Sequence, residues 1–132
     1  MDIAKLRSDF LVDDEVSPER LLTLIESLLP HCVVSKKGKV EIKRAGLAGR
    51  QLVKLVLVAR LAAHQLDETI SDEVNADELS ENTGLPKNQA TARAKECVDE
   101  RFAERSARGN YRARPRKVDG FLNELAGTAA KG

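Results

Sequence analysis

The chain has 132 residues, of which 42% are hydrophobic and 33% are charged, a balance typical of one folded domain rather than of a disordered chain. Its longest apolar run, LVLVA at 55–59, is too short to span a bilayer, and the N-terminus lacks the apolar run of a signal peptide. These features argue against membrane and secreted proteins, so we expect a cytoplasmic protein.

Charge is segregated along the chain, although the net charge is only +1. Residues 36–60 carry a net charge of +7 and residues 85–117 carry +6, whereas residues 61–84 carry −7 and residues 1–35 carry −4. Blocks of this kind indicate oppositely charged faces in the folded protein, which the average hides.

Residues 1–16 are acidic and have no clear pattern, whereas the following segment is a leucine-rich helix. Ser17 is a typical N-cap and Pro18 a typical first helical residue. Leucines and one isoleucine recur at helical spacing until Pro30, so the sequence predicts a helix over 18–29. Apolar residues lie on more than one side of this helix, which makes it a candidate element for a homodimer.

The segment after Pro30 has the pattern of a β-hairpin. Val33 and Val34 precede a Lys-Lys-Gly turn, and Val40 and Ile42 alternate with charged residues. The lysines of this hairpin, with Arg44, form a basic cluster. Two interpretations carry equal weight: the cluster extends a binding surface, or it protects an exposed sheet edge.

The next segment, residues 50–66, is predicted to be a central buried helix, because it is apolar on most sides over more than four turns. It is interrupted only by Lys54, Arg60 and His64. The acidic stretch 67–74 that follows lacks the residue spacing of a calcium loop, so we interpret it as a solvated connection.

Two helices separated by a tight turn come next. Asn75 and Glu78 form a capping-box pattern before a short helix over 76–82, and Gly84 ends that helix. Pro86 suits the start of a second helix, about 86–100. Its alanines Ala90 and Ala94 predict a face that packs closely on other helices.

The last third of the chain predicts a second hairpin and a final helix. Residues 102–105 and 111–114 read as two strands around a turn at Gly109, and Pro115 ends the second strand. Residues 118–126 have apolar residues at helical spacing. Residues 127–132 are predicted to be a flexible tail.

The order of elements from residue 50 resembles that of a winged helix-turn-helix DNA-binding domain, and the residues that carry the resemblance run from Ala76 to Pro115. The resemblance implies a mainly α fold with short β-hairpins, with the winged domain at 46–126 and an N-terminal extension at 1–45. It also implies a recognition helix at about 86–100 and a wing at about 102–114, and hence binding of double-stranded DNA by a transcriptional regulator.

The side chains that we expect to contact DNA lie on the outer face of the second helix and on the wing. Asparagine and glutamine can pair with adenine edges, and lysine and arginine with guanine or phosphate. Arg108 and Arg112 have Glu104 as their main acidic neighbour in sequence, so we expect surplus charge there. The predicted DNA-binding residues are Lys87, Asn88, Gln89, Thr91, Lys95, Arg105, Arg108, Arg112 and Arg114.

Two other functions remain open: a protein-interaction adaptor in a larger complex, favoured by the near-neutral total charge, and RNA binding by the same basic surface. Catalysis is not expected, because the sequence has no nucleophile motif, carboxylate pair or glycine-rich phosphate loop. Cys32 and Cys97 are interpreted as reduced, buried residues, and neither a metal site nor a cofactor is expected.

Overall fold

The structure is a computed structural model that describes residues 2–10 and 17–131, and within them the chain is mainly helical with two short antiparallel hairpins, as predicted. The helices and strands are, in chain order, α1 (Ile3–Phe10), α2 (Pro18–Leu28), β1 (Cys32–Val34), β2 (Val40–Ile42), α3 (Gly49–Leu66), α4 (Ala76–Thr83), α5 (Lys87–Asp99), β3 (Ala103–Arg105), β4 (Tyr111–Ala113), a 3₁₀ turn (Pro115–Lys117) and α6 (Val118–Lys131).

Helix α3 is the centre of the fold, and every residue from 53 to 63 is buried. Helices α2, α4 and α5, the hairpin β1–β2 and strand β4 pack on it. The prediction of a central buried helix is therefore confirmed. Leu24 and Leu28 of α2 and Val40 of β2 belong to the same core as α3, so the N-terminal elements add to one continuous apolar interior.

Two charged residues of α3 lie inside the core, and each has partners there. The guanidinium of Arg60 donates to the carbonyl oxygens of Gly38, Ser71 and Glu73 at 2.7–3.2 Å and to the carboxylate of Glu78 at 2.6 Å. It therefore ties the turn of the first hairpin and the acidic loop to α4. The ammonium of Lys54 is paired with Glu100.

The hairpins pair in register as Cys32↔Ile42 and Ala103↔Ala113 at their open ends. The second hairpin has one further partner. Val74, in the segment before α4, exchanges two backbone hydrogen bonds with Tyr111 at 2.7 and 2.9 Å. This bridge joins the turn-side end of β4 to the chain that enters α4, so the hairpin and the helix pair form one framework.

Two features differ from or extend the prediction. Residues 3–10, which had no clear pattern, form α1, and the rest of that acidic segment, 11–16, lies outside the described residues. Helix α6 continues to Lys131, so most of the predicted tail has helical backbone. None of the helices that the structure describes is long and apolar enough to cross a membrane.

Candidate nucleic-acid interface

Helix α4 and the turn after it are held by local side-chain hydrogen bonds. The side chain of Asn75 accepts from the amide of Glu78 at 2.8 Å, and the Glu78 carboxylate accepts from the amide of Asn75 at 3.3 Å. These two bonds complete the predicted capping box. Gly84 ends the helix with a φ of 77°, a left-handed conformation that glycine adopts without strain.

Helix α5 begins at Lys87, directly after Pro86, and packs on α3 and α4 through small residues. Ala90, Ala94 and Cys97 are fully buried, as their spacing predicts. Because these side chains are short, the axis of α5 lies close to its neighbours. The opposite side of its first turns is exposed to solvent.

The predicted reading residues lie on that open side. Asn88, Gln89 and Lys95 are exposed. Within residues 2–10 and 17–131, no hydrogen bond or ion pair is recorded for any of these three side chains. Their donors and acceptors are thus available to a ligand, and the unpaired amides at the N-terminus of α5 favour an anionic one.

Two other predicted residues of α5 are partly occupied. The ammonium of Lys87 lies 2.9 Å from the carboxylate of Asp77 on α4, in an exposed pair. The hydroxyl of Thr91 donates to the carbonyl oxygen of Lys87 at 2.8 Å, inside the helix. A phosphate at Lys87 would have to compete with Asp77, so this lysine is a weaker candidate than Lys95.

Two of the three acidic residues at the C-terminal end of α5 and directly after it are paired. Glu96 lies 3.0 Å from Arg93, and Glu100 is paired with both Arg50 and Lys54. Asp99 is exposed and follows Asn88 by three helical turns, which places it on the same face about 16 Å further along the axis. The part of this face from Asn88 to Lys95 is therefore better suited to a polyanion than its C-terminal end at Asp99.

The tip of the second hairpin presents Arg108. The turn is closed by hydrogen bonds from Ser106 to Asn110 and from Gly109 to Ser106, at 2.8 and 2.9 Å. Gly109 has a φ of 80°. Arg108 is exposed, and no partner of its side chain is recorded in the described part of the chain.

The expectation of surplus charge at Arg112 is wrong, because Arg112 faces Glu104 across the strands and is paired with it. The hydrogen bond from Arg112 to Glu104 raises the pKa of the guanidinium. Cross-strand neighbours of opposite charge stabilise each other. The pair therefore leaves less of the positive charge of Arg112 available to a DNA phosphate than we expected.

Arg105 and Arg114, the other two predicted wing residues, also have contacts or burial that limit their availability to DNA. The guanidinium of Arg105 lies 5.9 Å from the centre of the Tyr111 ring. Arg114 is half-buried beyond β4, and its Nε is buried without a hydrogen-bond partner among the described residues. Arg114 lines a small cleft with Arg112 and Asp72, from which a phosphate could reach it.

The first hairpin supplies basic residues that the prediction of the binding site left out. The amide of Val40 donates to the side chain of Asn82 on α4 at 2.8 Å, which places this hairpin beside the helix-turn-helix. Four of its lysines are exposed and have no recorded hydrogen bond or ion pair through the side chain within residues 2–10 and 17–131: Lys36, Lys37, Lys39 and Lys43. The charge cluster was visible in the sequence, but its position next to α4 was not.

A hydrogen bond at the edge of β2 helps to decide between the two interpretations of the lysine cluster. Asn82 occupies the free amide of Val40, so this position of β2 does not depend on lysine for protection. That observation favours the interpretation in which the lysines extend a binding surface.

The cysteines and histidines have local roles. Burial raises the pKa of the Cys32 thiol to about 11 and that of Cys97 to about 12, so both stay protonated and unreactive at neutral pH. His64 Nδ1 lies 2.7 Å from the carbonyl oxygen of Ile70. In the part of the chain that the structure describes, no three histidine, cysteine or acidic side chains are grouped as metal ligands.

No protein-family model matches the chain, and no curated protein or solved structure matches it either.

Proposed function

We propose that this protein binds double-stranded DNA as a winged helix-turn-helix protein, in which the N-terminal half of α5 enters the major groove and the β3–β4 hairpin acts as the wing. The observation that carries the proposal is the pair of exposed amide side chains, Asn88 and Gln89, at the open N-terminus of α5, which have no partner among the residues that the structure describes. An amide at the start of a solvent-facing helix can form two hydrogen bonds with adenine in the major groove.

The arrangement around α5 supports this proposal. Arg108 is exposed at the tip of the hairpin, and the Val74–Tyr111 bridge holds the turn-side end of β4 to the chain before α4. A fixed wing beside a recognition helix can contact the DNA backbone while the helix contacts bases. The most direct biological role for such a domain is that of a small transcriptional regulator in the cytoplasm.

A mobility-shift titration with random-sequence duplex DNA, at low and at moderate salt, tests the proposal. We expect a complex at low salt that weakens as salt rises, because phosphate contacts release bound counterions. Duplex and single-stranded RNA in parallel reactions distinguish the RNA-binding alternative. Absence of a complex with any nucleic acid at low salt would refute the proposal.

Replacement of Asn88 by alanine tests the base-reading role. Once a preferred site is selected from random duplexes, Asn88→Ala should reduce the preference for that site over random DNA by about 1–3 kcal/mol, the size of one good bidentate contact. Asn123→Ala removes an exposed asparagine from α6 and is the matched control, with no expected effect. An equal loss of affinity for all sequences would make Asn88 a backbone contact instead.

The second candidate function, a protein-interaction adaptor, is favoured by the ion pairs at the same surface. Lys87 is paired with Asp77 and Arg112 with Glu104, so this surface carries both signs of charge. Mixed charges of this kind suit a protein partner better than a polyanion. The mobility-shift titration separates the two functions, because an adaptor should leave the DNA unshifted.

A further inference from the structure

A polar cleft of about 270 Å³ lies between the C-terminal part of α3, the acidic loop before α4 and the segment that follows β4. Two buried apolar residues, Leu61 and Ala113, form part of its inner surface. Ala113 pairs with Ala103, so the cleft lies towards the open end of the β3–β4 hairpin and away from its turn. Because pockets for drug-sized ligands hold about 300–1,000 Å³, this cleft suits a smaller molecule.

One side of the cleft holds a guanidinium without a protein partner. Arg114 is half-buried, and no hydrogen bond or ion pair of its side chain is recorded within residues 2–10 and 17–131. Its Nε is closed off from solvent, so a ligand in the cleft would contact the two terminal nitrogens. A charged group that leaves water without a partner loses hydration that the protein does not replace. An oxyanion at this guanidinium would supply charge-assisted hydrogen bonds instead.

A negative charge in the same cleft also lacks a partner. Asp72 is half-buried, and in the part of the chain that the structure describes no hydrogen bond or ion pair of its carboxylate is recorded. Arg112 and Glu104, which line the cleft too, are paired with each other. Arg114 and Asp72 therefore border one space, with opposite charges that are not paired with each other.

We propose that this cleft binds a small zwitterion, an α-amino acid with a short apolar side chain. The carboxylate of the ligand accepts hydrogen bonds from Arg114, its ammonium group donates to Asp72, and its side chain lies against Leu61 and Ala113. One ligand then neutralises both of the unpaired charges and covers the apolar part of the cleft. The proposal does not rest on DNA binding, and it assigns Arg114 to the small ligand rather than to a DNA phosphate.

The charges of the cleft favour a zwitterion over a simple anion. The carboxylates of Asp72 and Glu104 line the same small space and repel a phosphate, which carries no compensating positive charge. Arg116 also lines the cleft, but it is exposed, so solvent screens its charge. An ammonium group placed at Asp72 turns that repulsion into an attraction.

Three probes of matched size test the proposal on the full, ¹⁵N-labelled chain. Alanine carries both charged groups, propionate lacks the ammonium group, and isopropylamine lacks the carboxylate. We expect saturable shifts of the backbone amide signals around the cleft with alanine. Propionate and isopropylamine should each bind about tenfold more weakly or worse, because each loses one hydrogen-bonded charge.

Several results with the unchanged protein would overturn the proposal. They are the absence of saturable binding of alanine, binding of propionate or isopropylamine as tight as that of alanine, and shifts confined to residues outside the cleft. Inorganic phosphate is the fourth probe. Tighter binding of phosphate than of alanine would assign the cleft to a free anion or to a DNA phosphate, and the mobility-shift titration would then separate those two sources.

Two variants test the roles of the charged residues. Arg114→Gln should bind alanine no more tightly than the unchanged protein binds isopropylamine, and Asp72→Asn no more tightly than the unchanged protein binds propionate. The matched controls are Lys117→Gln and Glu68→Gln, which remove exposed charges from the same two segments but do not line the cleft. Both controls should bind alanine as the unchanged protein does.

The two variants should also differ in which probe they affect. Arg114→Gln should leave the weak binding of isopropylamine unchanged, and Asp72→Asn that of propionate, because each probe lacks the group that the altered residue contacts. Circular dichroism checks that the variants are folded, and the three probes on the unchanged protein still decide if one is not. Equal losses for Arg114→Gln and Lys117→Gln would show a general effect of charge and overturn the assignment.

Discussion

The two hairpins of this protein have the same turn but different surroundings. In the first, Ser35 donates its amide to Lys39 at 2.8 Å, and Gly38 donates to Ser35 at 2.9 Å. In the second, Ser106 and Asn110 form the equivalent bond at 2.8 Å and Gly109 donates to Ser106 at 2.9 Å. In both turns a glycine with positive φ occupies the fourth position. Local sequence thus specifies the same turn twice.

The two hairpins differ in whether their basic residues have partners. The lysines of the first hairpin are exposed and unpartnered within the described chain, while its turn is anchored from below by Arg60 through the carbonyl oxygen of Gly38. In the second hairpin, Arg112 is paired with Glu104 and Arg105 lies over Tyr111. The number of basic residues in a segment therefore does not state how much positive charge it offers to a ligand.

The largest expected effect tests the anchor of the first hairpin. Arg60 is 4% exposed, and Arg60→Met would leave the Gly38, Ser71 and Glu73 carbonyl oxygens without this donor. We expect the free energy of unfolding to fall by about 3–5 kcal/mol, as for other broken buried pairs. Urea titration measures the change.

The matched variant for that experiment is Arg112→Met, which removes a guanidinium from the second hairpin. The Arg112 and Glu104 side chains are 44% and 39% exposed, so their pair should contribute only about 0–1 kcal/mol. Similar losses for the two variants would contradict the assignment of Arg60 as the anchor.

An intermediate effect concerns the charge available to DNA. Because Arg108 is unpartnered in the described chain, Arg108→Ala should reduce the slope of log affinity against log salt by about 0.9, the value for one lost phosphate contact. Lys37→Ala should have a comparable effect if the first hairpin extends the binding surface. Arg112→Ala should change the slope less, since Glu104 already occupies its guanidinium. Fluorescence anisotropy with a labelled duplex over a series of salt concentrations measures all three.

Arg20→Ala is the control for these slopes. It removes one positive charge from a pair with Asp119 at the α2–α6 contact, and we expect it to leave the slope unchanged. An equal change for Arg112→Ala and Arg108→Ala would show that the ion pair of the second hairpin opens freely in solution.

The smallest expected effect is a dependence of stability on pH at the base of the first hairpin. His31 is buried, and desolvation, together with the nearby Arg44, lowers its pKa. The unfolded chain therefore binds more protons than the folded chain below the ordinary histidine pKa of about 6.5, and stability should fall as pH decreases below it. His31→Gln should reduce this fall between about pH 7.5 and about pH 5.5, measured by urea titration at each pH. A decline as steep in the variant would assign it to other groups.

Much of the fold follows from local sequence. The Ser17–Pro18 start of α2, the Asn75–Glu78 capping box and Gly84 fix helix ends through bonds between residues at most four positions apart. The apolar stretch of α3 predicted its burial, because no side of that helix is polar enough to face water. In the candidate site, local spacing correctly placed Ala90 and Ala94 inside and Asn88 and Gln89 outside.

The availability of the basic residues was decided by tertiary structure. Strand alternation places Arg112 on an outer face, but only the pairing register brings Glu104 opposite to it. In the same way, Lys87 lies next to Asp77 because the turn at Gly84 packs α4 against α5. The first hairpin lies beside α4 because the side chain of Asn82 accepts a hydrogen bond from the amide of Val40, 42 residues away in sequence. Electrostatic pairing depends on distance in space, so contacts between elements distant in sequence, which no local pattern encodes, determine which charges remain free for a ligand.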